Sequence, residues 1–348
     1  MDGIVRWGMI GCGDVTEEKN GPGLYLAQHS QLVGVTNRTL PKAEDWVRRH
    51  HAGRVYGSVE ELLADPGIDI VYVATTPDCH REYAVACARA GKHCYLEKPV
   101  ARSYEEAEEI RAAFQESGTR IFVAHYRRGM TRYKEIRRLL ESGGIGTVRG
   151  MQILRTQRQA ETERLPGAEK PWRVRSAVSG GGHFFEGDVH MLDLADFLIG
   201  PVADFQIEVS NGTGVYESSD VVSLSALTRT GVMLSGLWCY ATYRELDQVL
   251  IFGDRGSVAF PYGNNRAPVT VETAAGTRTI RPFVHPNVGT EQIQDIVDEL
   301  LGTGACTSTL AAAMRSLRIT DAAEKQWRRQ RGILQESREY KDGRLTDE

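Results

Sequence analysis

The N-terminal part of the chain alternates short apolar runs with helical patterns, and this alternation limits the fold that it can adopt. The apolar runs resemble strands and cover residues 4–10, 31–36, 68–74, 93–96 and 121–124. Strands that are separated by helices cannot pair through tight hairpins, so they form a parallel sheet with right-handed crossovers. Residues 1–124 are therefore expected to form a doubly wound parallel α/β domain.

A glycine-rich turn, Gly11-Cys12-Gly13, follows the first apolar run directly. Gly11 permits a tight turn, and Gly13 lets the backbone approach a pyrophosphate at the N-terminus of the next helix. Glycine pairs are common in ordinary turns, but the position after a strand favours a dinucleotide-binding loop. Asn20-Gly21-Pro22-Gly23 interrupts the helix that should follow, so we expect a kink or a loop there. The residues expected to contact the dinucleotide at this turn are Gly11, Gly13, Asp14 and Val15.

The second apolar run ends at Asn37-Arg38, close to the position where an acidic residue usually binds the ribose hydroxyls of NAD. This sequence has no acid there. Asn37 can still form a hydrogen bond with a ribose, and Arg38 can pair with the 2′-phosphate of NADP. Because an acid would repel that phosphate, its absence favours NADP(H) over NAD(H), although Arg38 is also compatible with a solvated loop charge.

A lysine follows the apolar run 93–96, in the segment Glu97-Lys98-Pro99. Pro99 stops further ladder pairing and disfavours a helical conformation at Lys98. Lys98 is therefore expected to project from the carboxyl edge of the sheet, where open α/β folds bind their ligands. A surface lysine in a loop is the plainer interpretation of this residue alone. The glycine-rich turn and a later Glu/His pair argue against that interpretation.

Composition and charge restrict the class of protein. The chain has 348 residues, of which 41% are hydrophobic and 25% charged, which suits one large or two ordinary domains of a soluble enzyme. The formal net charge of −4 argues against a nucleic-acid partner. No signal-like segment or long apolar span is visible, so we expect no membrane partner and a cytoplasmic location. The 6 cysteines show no Cys-x-x-Cys spacing and are interpreted as small buried residues, not as disulfides or zinc ligands.

The pattern changes after residue 124, without a repeat or a low-complexity linker at the change. Residues 202–281 read as successive strands with turn signals between them, and residues 221–227 and 232–240 resemble an antiparallel pair. The expected helices cover residues 133–141, part of 182–198, 292–301 and 310–328. We therefore expect residues 125–348 to form an α+β domain on a largely antiparallel open sheet.

The most specific stretch of this second part begins with Gly180-Gly181-Gly182-His183 and continues to Glu186, His190 and Asp193. If a helix begins near Glu186, then Glu186 and His190 lie four residues apart on one face. A carboxylate beside an imidazole can fix its tautomer and raise its basicity, which suits general acid–base catalysis. A helix-surface ion pair is the plainer interpretation. The three glycines argue against it, because they let the backbone pass very close to something flat or bulky.

Together these motifs resemble those of the glucose–fructose oxidoreductase, inositol dehydrogenase and MocA family over nearly the whole chain. The resemblance rests on the Gly11-x-Gly13 loop, Thr76-Pro77 with His80, Glu97-Lys98-Pro99, Tyr126-Arg127-Arg128 and the stretch that ends in His190-x-x-Asp193. It implies a Rossmann domain and a second domain that supplies the substrate wall and often the oligomer interface. We therefore expect a homo-oligomer, a dimer or a tetramer. Two residues depart from the family pattern, since Glu186 replaces an aspartate and Asp188 replaces a glycine.

The resemblance implies an NAD(P)-dependent oxidoreductase acting on a secondary alcohol or carbonyl of a small-molecule substrate, a sugar or a cyclic polyol. His190 would accept the hydroxyl proton, Lys98 would stabilise charge on the reacting oxygen, and Glu97 would position Lys98. Lys98 and His190 would meet at the nicotinamide ring, Glu186 is the third catalytic candidate, and no metal is required. The further cofactor-binding candidates are Asn37, Arg38, Thr75, Thr76, Pro77, His80, Glu97 and Lys98. The substrate-binding candidates are Tyr126, Arg127, Trp172, Arg173, His183, Glu186 and His190.

Two alternatives stay open. The first is a reductase of a non-sugar carbonyl or a dihydrodiol, which a largely apolar pocket would favour, whereas several convergent polar groups would favour a sugar. The second is a cofactor-binding sensor or scaffold without turnover, which the unfamiliar Glu186 and Asp188 suggest. The retention of both Lys98 and His190 argues against this second alternative.

Overall fold

The computed structural model describes residues 3–164 and 169–332 of the chain. These residues form two compact units, the first containing residues 3–133 and 284–314 and the second containing residues 134–283 and 315–332. This division differs from the single boundary expected after residue 124, because a late segment of the chain belongs to the first unit. No helix within the described residues is long and apolar enough to cross a membrane.

The first unit is built on a six-stranded sheet. Its strands are β1 (Val5–Ile10), β2 (Ser30–Thr36), β3 (Arg54–Val55), β4 (Ile70–Val73), β5 (His93–Leu96) and β6 (Ile121–Val123). They lie in the order β3-β2-β1-β4-β5-β6, and every neighbouring pair is parallel. This order confirms the doubly wound Rossmann sheet, whose carboxyl ends form one edge.

The second unit is built on an eight-stranded sheet. Its strands are β7 (Val148–Thr156), β8 (Val202–Ser210), β9 (Val221–Thr228), β10 (Met233–Cys239), β11 (Leu246–Gly253), β12 (Gly256–Phe260), β13 (Val269–Thr273) and β14 (Gly276–Ile280). They lie in the order β14-β13-β12-β11-β7-β10-β9-β8, and only the pair β7–β10 is parallel. The largely antiparallel sheet and the β9–β10 pair are thus confirmed. The sequence did not indicate the central strand β7. Only Met151 and Ile153 are buried along this strand, so its apolar pattern is weak.

The helices connect and cover these sheets. They are α1 (Gly23–Leu26), α2 (Leu40–His50), α3 (Val59–Ala64), α4 (His80–Arg89), α5 (Tyr104–Ser117), α6 (Thr131–Glu141), α7 (Glu161–Arg164), α8 (Ser176–Ser179), α9 (Val189–Ile199), α10 (Thr290–Leu301) and α11 (Leu310–Gln330). Helix α10 explains why residues 284–314 belong to the first unit. Its residues Ile293, Ile296 and Val297 form one apolar face, which is buried in the same core as Trp7.

Candidate active site

The glycine-rich turn at the end of β1 contains two glycines with different requirements. Gly11 has a φ of +98°, and a Cβ atom there would lie 2.5 Å from the carbonyl oxygen of Ala74. Gly13 is exposed, and no atom lies within 4 Å of the position that its Cβ would take. The fold therefore requires glycine at position 11. The open space beside Gly13 fits a ligand that approaches the backbone closely, as a pyrophosphate does.

Only a single 3-10 turn, Asp14–Thr16, follows the glycine-rich turn, in place of a regular helix. The interruption expected at residues 20–23 is confirmed, and α1 is limited to four residues. Gly21 approaches Thr16 so closely that its Cβ would lie 1.9 Å from the Thr16 carbonyl oxygen, and Pro22 lacks an N–H group. The dipole of a full helix is therefore missing after this turn. Its main feature for binding an anion is that a ligand can approach the backbone closely.

Asn37 and Arg38 follow the end of β2. Asn37 Oδ1 accepts a hydrogen bond from the backbone N–H of Cys12 at 3.4 Å, and its Nδ2 donates to the Thr39 carbonyl at 3.0 Å. Asn37 thus ties the loop after β2 to the glycine-rich turn. Arg38 is exposed. Burial raises the pKa of Cys79, and the positive charge of Arg38 opposes this rise, which places Arg38 near the loop after β4.

The loop after β4 carries four candidate residues. Thr76 precedes a 3-10 turn that begins at Pro77, and the buried Thr75 Oγ1 has no hydrogen-bond partner among the described residues. A ligand hydroxyl or phosphate would satisfy that oxygen. His80 is fully buried, with Nδ1 2.8 Å from the Pro99 carbonyl oxygen and Nε2 3.1 Å from that of Thr75. Burial lowers the pKa of His80. These contacts favour a role in holding two loops together over direct contact with a cofactor.

Lys98 lies half-buried just beyond β5, directly after the buried Glu97. Glu97 Oε1 accepts hydrogen bonds from the Tyr72 hydroxyl at 2.6 Å and from Asn20 Nδ2 at 2.7 Å. Glu97 Oε2 accepts the backbone N–H of Lys98 at 3.2 Å. Burial raises the pKa of Glu97, and the Tyr72 bond and the Lys98 charge partly oppose the rise. The carboxylate therefore fixes the backbone that carries Lys98.

Asn20 and Tyr72 belong to this arrangement, although the sequence did not single them out. Asn20 is almost fully buried, and its Nδ2 also donates to the Tyr72 hydroxyl at 3.0 Å. In the sequence, Asn20 opens an Asn-Gly-Pro-Gly segment, which is typical of a loop. Tyr72 lies in an apolar strand, where an aromatic residue is typical of a core. A buried strand with one phenolic hydroxyl was the only available signal, since such a hydroxyl needs a partner.

In the second unit, the helical segment that carries Glu186 and His190 begins with an irregular turn. Residues Phe184–Asp188 form a π-helical turn, and the regular helix α9 begins at Val189. The segment is thus helical through Glu186 and His190, as expected, but its first turn is π-helical. The wider turn changes the spacing between Glu186 and His190. Glu186 is buried, and its Oε2 lies 3.6 Å from Nε of Arg173. His190 occupies the first turn of α9 and is half-buried.

The three glycines before this turn allow close contacts within the second unit itself. A Cβ at Gly181 would lie 2.6 Å from the Phe185 Cβ, and one at Gly182 would lie 1.8 Å from the Ser218 Oγ. Gly180 ends α8 with a φ of +92°. The close backbone approach that the glycines indicate is therefore to Phe185 and Ser218.

Asp188, which departs from the family pattern, is held by two strands of the second sheet. It is 1% exposed, and its Oδ1 lies 3.0 Å from Nη1 of Arg155 in β7. Its Oδ2 accepts the Tyr240 hydroxyl at 2.6 Å, just after β10. Since β7 and β10 are neighbours, one carboxylate fixes the turn before His190 to the middle of the sheet. Asp188 therefore attaches this turn to the sheet, and its negative charge is paired with the positive charge of Arg155.

The remaining substrate candidates are distributed between the units. In the first, Arg127 is buried and its guanidinium carbon lies 4.9 Å from the Tyr126 ring centroid. In the second, the guanidinium carbon of Arg173 lies 4.5 Å from the Trp172 ring centroid. His183 is half-buried beside aromatic rings of the second unit. Within residues 3–164 and 169–332, no group of three or more His, Cys, Asp or Glu side chains could hold a metal ion.

Two known family models match the two parts of the chain. Residues 5–125 match the oxidoreductase family model with an NAD-binding Rossmann fold, and residues 133–259 match the GFO/IDH/MocA C-terminal domain. A relative named oxidoreductase P35, from Formosa agariphila, is 34% identical over 75% of this chain and 81% of its own length. The chain belongs to the glucose–fructose oxidoreductase/inositol dehydrogenase/MocA family. It is thus an oxidoreductase of a family whose Rossmann domain binds NAD(P).

Two further proteins are similar over most of the chain. The 1,5-anhydro-D-fructose reductase of Ensifer adhaerens is 28% identical over 79% of this chain and 80% of its own length. A solved structure of levoglucosan dehydrogenase in complex with NADH and levoglucosan has a TM-score of 0.81 at 20% identity, covering 93% of this chain and 97% of that one. The second likeness shows the shared fold.

Proposed function

We propose that this family member transfers a hydride between NAD(P) and a secondary alcohol or carbonyl of a sugar or cyclic polyol. One observation carries the proposal: the carboxyl edge of the first sheet has both the open space beside Gly13 and a lysine anchored through Glu97. A dinucleotide loop and a fixed ammonium group are what such a transfer requires. The relative named 1,5-anhydro-D-fructose reductase supports a sugar-like substrate.

The cofactor would be held along this edge. The backbone from Gly11 to Val15 would approach the pyrophosphate, and Asn37 and Arg38 would contact the adenosine ribose. Thr75, Thr76 and Pro77 would line the neighbouring loop, where the Thr75 hydroxyl is suited to a ligand oxygen. The exposed Arg38 and the absence of an acid beside it favour NADP(H). When bound, the nicotinamide supplies or accepts the hydride.

The residues of this chain would handle the proton and the charge. In alcohol oxidation, His190 accepts the hydroxyl proton, and the Lys98 ammonium stabilises the negative charge that develops on the oxygen. In carbonyl reduction, His190 returns the proton. Glu97 holds the backbone at Lys98, and the Glu186 carboxylate lies 3.6 Å from the guanidinium of Arg173, a substrate-binding candidate. Glu186 is therefore assigned a positioning role.

A substrate panel tests the proposal. Sugars, inositols, their keto forms and a dihydrodiol are incubated with each cofactor, and the change in NAD(P)H absorbance is followed. Turnover of a sugar or polyol that Lys98→Ala abolishes is the expected result. Turnover of the dihydrodiol alone would favour the non-sugar reductase. Tight NAD(P)H binding without turnover of any compound would favour a non-catalytic sensor.

We also propose that the second sheet forms an interface with a second copy of this chain. Met233 pairs with Leu227 on one side and Gly150 on the other, and Phe252 also pairs with Gly150. These side chains therefore share one face of the sheet, where Leu227, Met233 and Phe252 are 40%, 51% and 40% exposed. A row of exposed apolar side chains is typical of an interface. Light scattering should show an oligomer that Met233→Lys dissociates.

A further inference from the structure

The second unit contains a cavity of about 460 Å³ at the end of β7 and the start of β11. Arg155, Gln157, Glu163, His183 and Tyr240 contribute to its lining. A cavity of this size can hold a small-molecule ring.

The cavity is connected to the proposed active site through residues of the same unit. Arg155 and Tyr240 line the cavity, and both bind the carboxylate of Asp188. Asp188 ends the π-helical turn, two residues before His190. The cavity wall and the first turn of α9 therefore share one hydrogen-bonded cluster. The part of the substrate that does not react is expected to lie here, an expectation that rests on the proposed function.

The charges in the cavity wall are unfavourable for an anion. Three carboxylates line it, those of Glu163, Glu245 and Asp247, against two arginines, Arg155 and Arg158. Both arginines have partners within the unit. Arg155 pairs with Asp188 at 3.0 Å, and Nε of Arg158 donates to the Tyr243 carbonyl at 2.7 Å. A substrate carboxylate or phosphate would have to compete for these cations.

Glu163 is the most deeply buried of the three carboxylates. It is 8% exposed, and its Oε2 accepts the Tyr216 hydroxyl at 2.6 Å and lies 3.5 Å from Nε2 of His183. The His183 ring packs edge-on against Tyr216 and stacks on Tyr240, each with centroids 5.1 Å apart. Lys170 Nζ lies 5.8 Å from the Tyr216 ring centroid and does not contribute to the cavity lining. A buried carboxylate is weakly screened by solvent, so it acts strongly on a charge beside it.

We propose that the cavity selects an uncharged, hydroxyl-bearing ring, and that Glu163 is the residue that rejects carboxylate- or phosphate-bearing analogues. Aromatic rings and polar groups in one wall suit the apolar faces and hydroxyls of such a ring. The negative charge of Glu163 would repel the negative charge of such an analogue. A neutral replacement of Glu163 should remove this repulsion.

The test measures the kcat/KM of the holoenzyme for the neutral and the acidic member of two matched pairs. The pairs are D-glucose with D-glucuronate and D-galactose with D-galacturonate. The neutral member is expected to have a kcat/KM at least about tenfold higher. In Glu163→Gln this ratio should fall by about tenfold, mainly through a lower KM for the acid. The matched control is Glu161→Gln, an exposed position in the same helix, which should leave the ratio unchanged.

The outcomes separate this inference from the proposed function. Turnover of either member supports the proposed function, whereas an equal or higher kcat/KM for the acid overturns the charge selectivity alone. If neither member is turned over, calorimetric titration of the holoenzyme decides the inference. Binding of the neutral member alone, with acid binding gained in Glu163→Gln, supports it. Equal binding of both members, or of neither, overturns it.

Discussion

The hydroxyl of Tyr72 donates a hydrogen bond to Glu97 across 2.6 Å, and the same carboxylate accepts the backbone N–H of Lys98. The strand β4 therefore controls the conformation of the lysine that follows β5. Asn20 adds a second donor to Glu97 from the segment after the glycine-rich turn. The two ends of the proposed site, the glycine-rich turn and Lys98, are thus linked through one buried carboxylate.

We predict that Glu97→Gln lowers turnover and changes thermal stability by an amount that depends on pH. Burial raises the pKa of Glu97 above its ordinary value of 4.5, so the folded protein binds this proton more tightly than the unfolded chain. The contribution of this proton to folding stability is complete below the pKa of Glu97 in the unfolded chain. It is lost as the pH rises through the pKa of Glu97 in the folded protein. The melting temperature of Glu97→Gln, relative to wild type, should therefore increase with pH across this window, while turnover falls. A difference that is independent of pH would contradict the prediction.

We predict opposite effects of substitution at the two glycines of the turn. Gly13→Val should abolish binding of NAD(P)H with little change in melting temperature, because no atom lies within 4 Å of its Cβ position. Gly11→Ala should lower stability by about 2 kcal/mol or more, since it combines a positive φ with a backbone clash. Calorimetric titration and thermal unfolding measure the two effects. Unchanged cofactor affinity in a folded Gly13→Val protein would contradict the proposed contact between Gly13 and the pyrophosphate.

We predict that Arg38 determines a preference for NADP(H). In Arg38→Ala, the dissociation constant for NADPH should rise by about tenfold or more, and that for NADH should change little. The preference of the wild type should weaken at higher salt, since Arg38 is exposed. Lys42→Ala, an exposed cation in α2, is the matched control. Equal or tighter binding of NADH by the wild type would show that Arg38 does not meet a 2′-phosphate.

We predict that Lys98→Ala and His190→Ala each reduce kcat by about two orders of magnitude or more with cofactor affinity retained. His190→Ala should also flatten the pH dependence of alcohol oxidation. The double variant should lose little more than either single variant if both residues serve one step. His29→Asn, at an exposed histidine with a φ of 57°, is the control. Near-normal turnover in both single variants would place the chemistry elsewhere.

We predict that removal of the Asp188 carboxylate destabilises the second unit. In Asp188→Ala, the half-buried guanidinium of Arg155 loses its ion pair with the buried carboxylate, at a cost of about 3 kcal/mol. Asp188→Asn keeps the shape and should recover part of this loss. Tyr240→Phe, which removes one neutral donor, should cost about 1 kcal/mol. Denaturant unfolding measures these changes. Equal stability of Asp188→Ala and wild type would show that the anchor is unimportant.

Local sequence patterns were sufficient to predict several features of this fold. The alternation of strands and helices predicted the Rossmann sheet. The glycine turn after β1 and Lys98 after β5 predicted the edge where the cofactor is proposed to bind. Likewise, alternating residues with turn signals gave the antiparallel strands β9 and β10. These features follow from periodicity, glycine conformation and proline chemistry, which act over a few residues.

Which polar side chains share a partner depends instead on how distant parts of the chain pack together. Tyr72 and Asn20 meet at Glu97, although they lie 25 and 77 residues away from it in sequence. Asp188 likewise proved to be an anchor for Arg155 from β7, a strand too weakly patterned to be identified. The π-helical geometry of the turn that carries Asp188 was likewise not visible in the sequence. Burial makes such polar groups require partners, but their identity depends on long-range packing, which local sequence patterns do not encode.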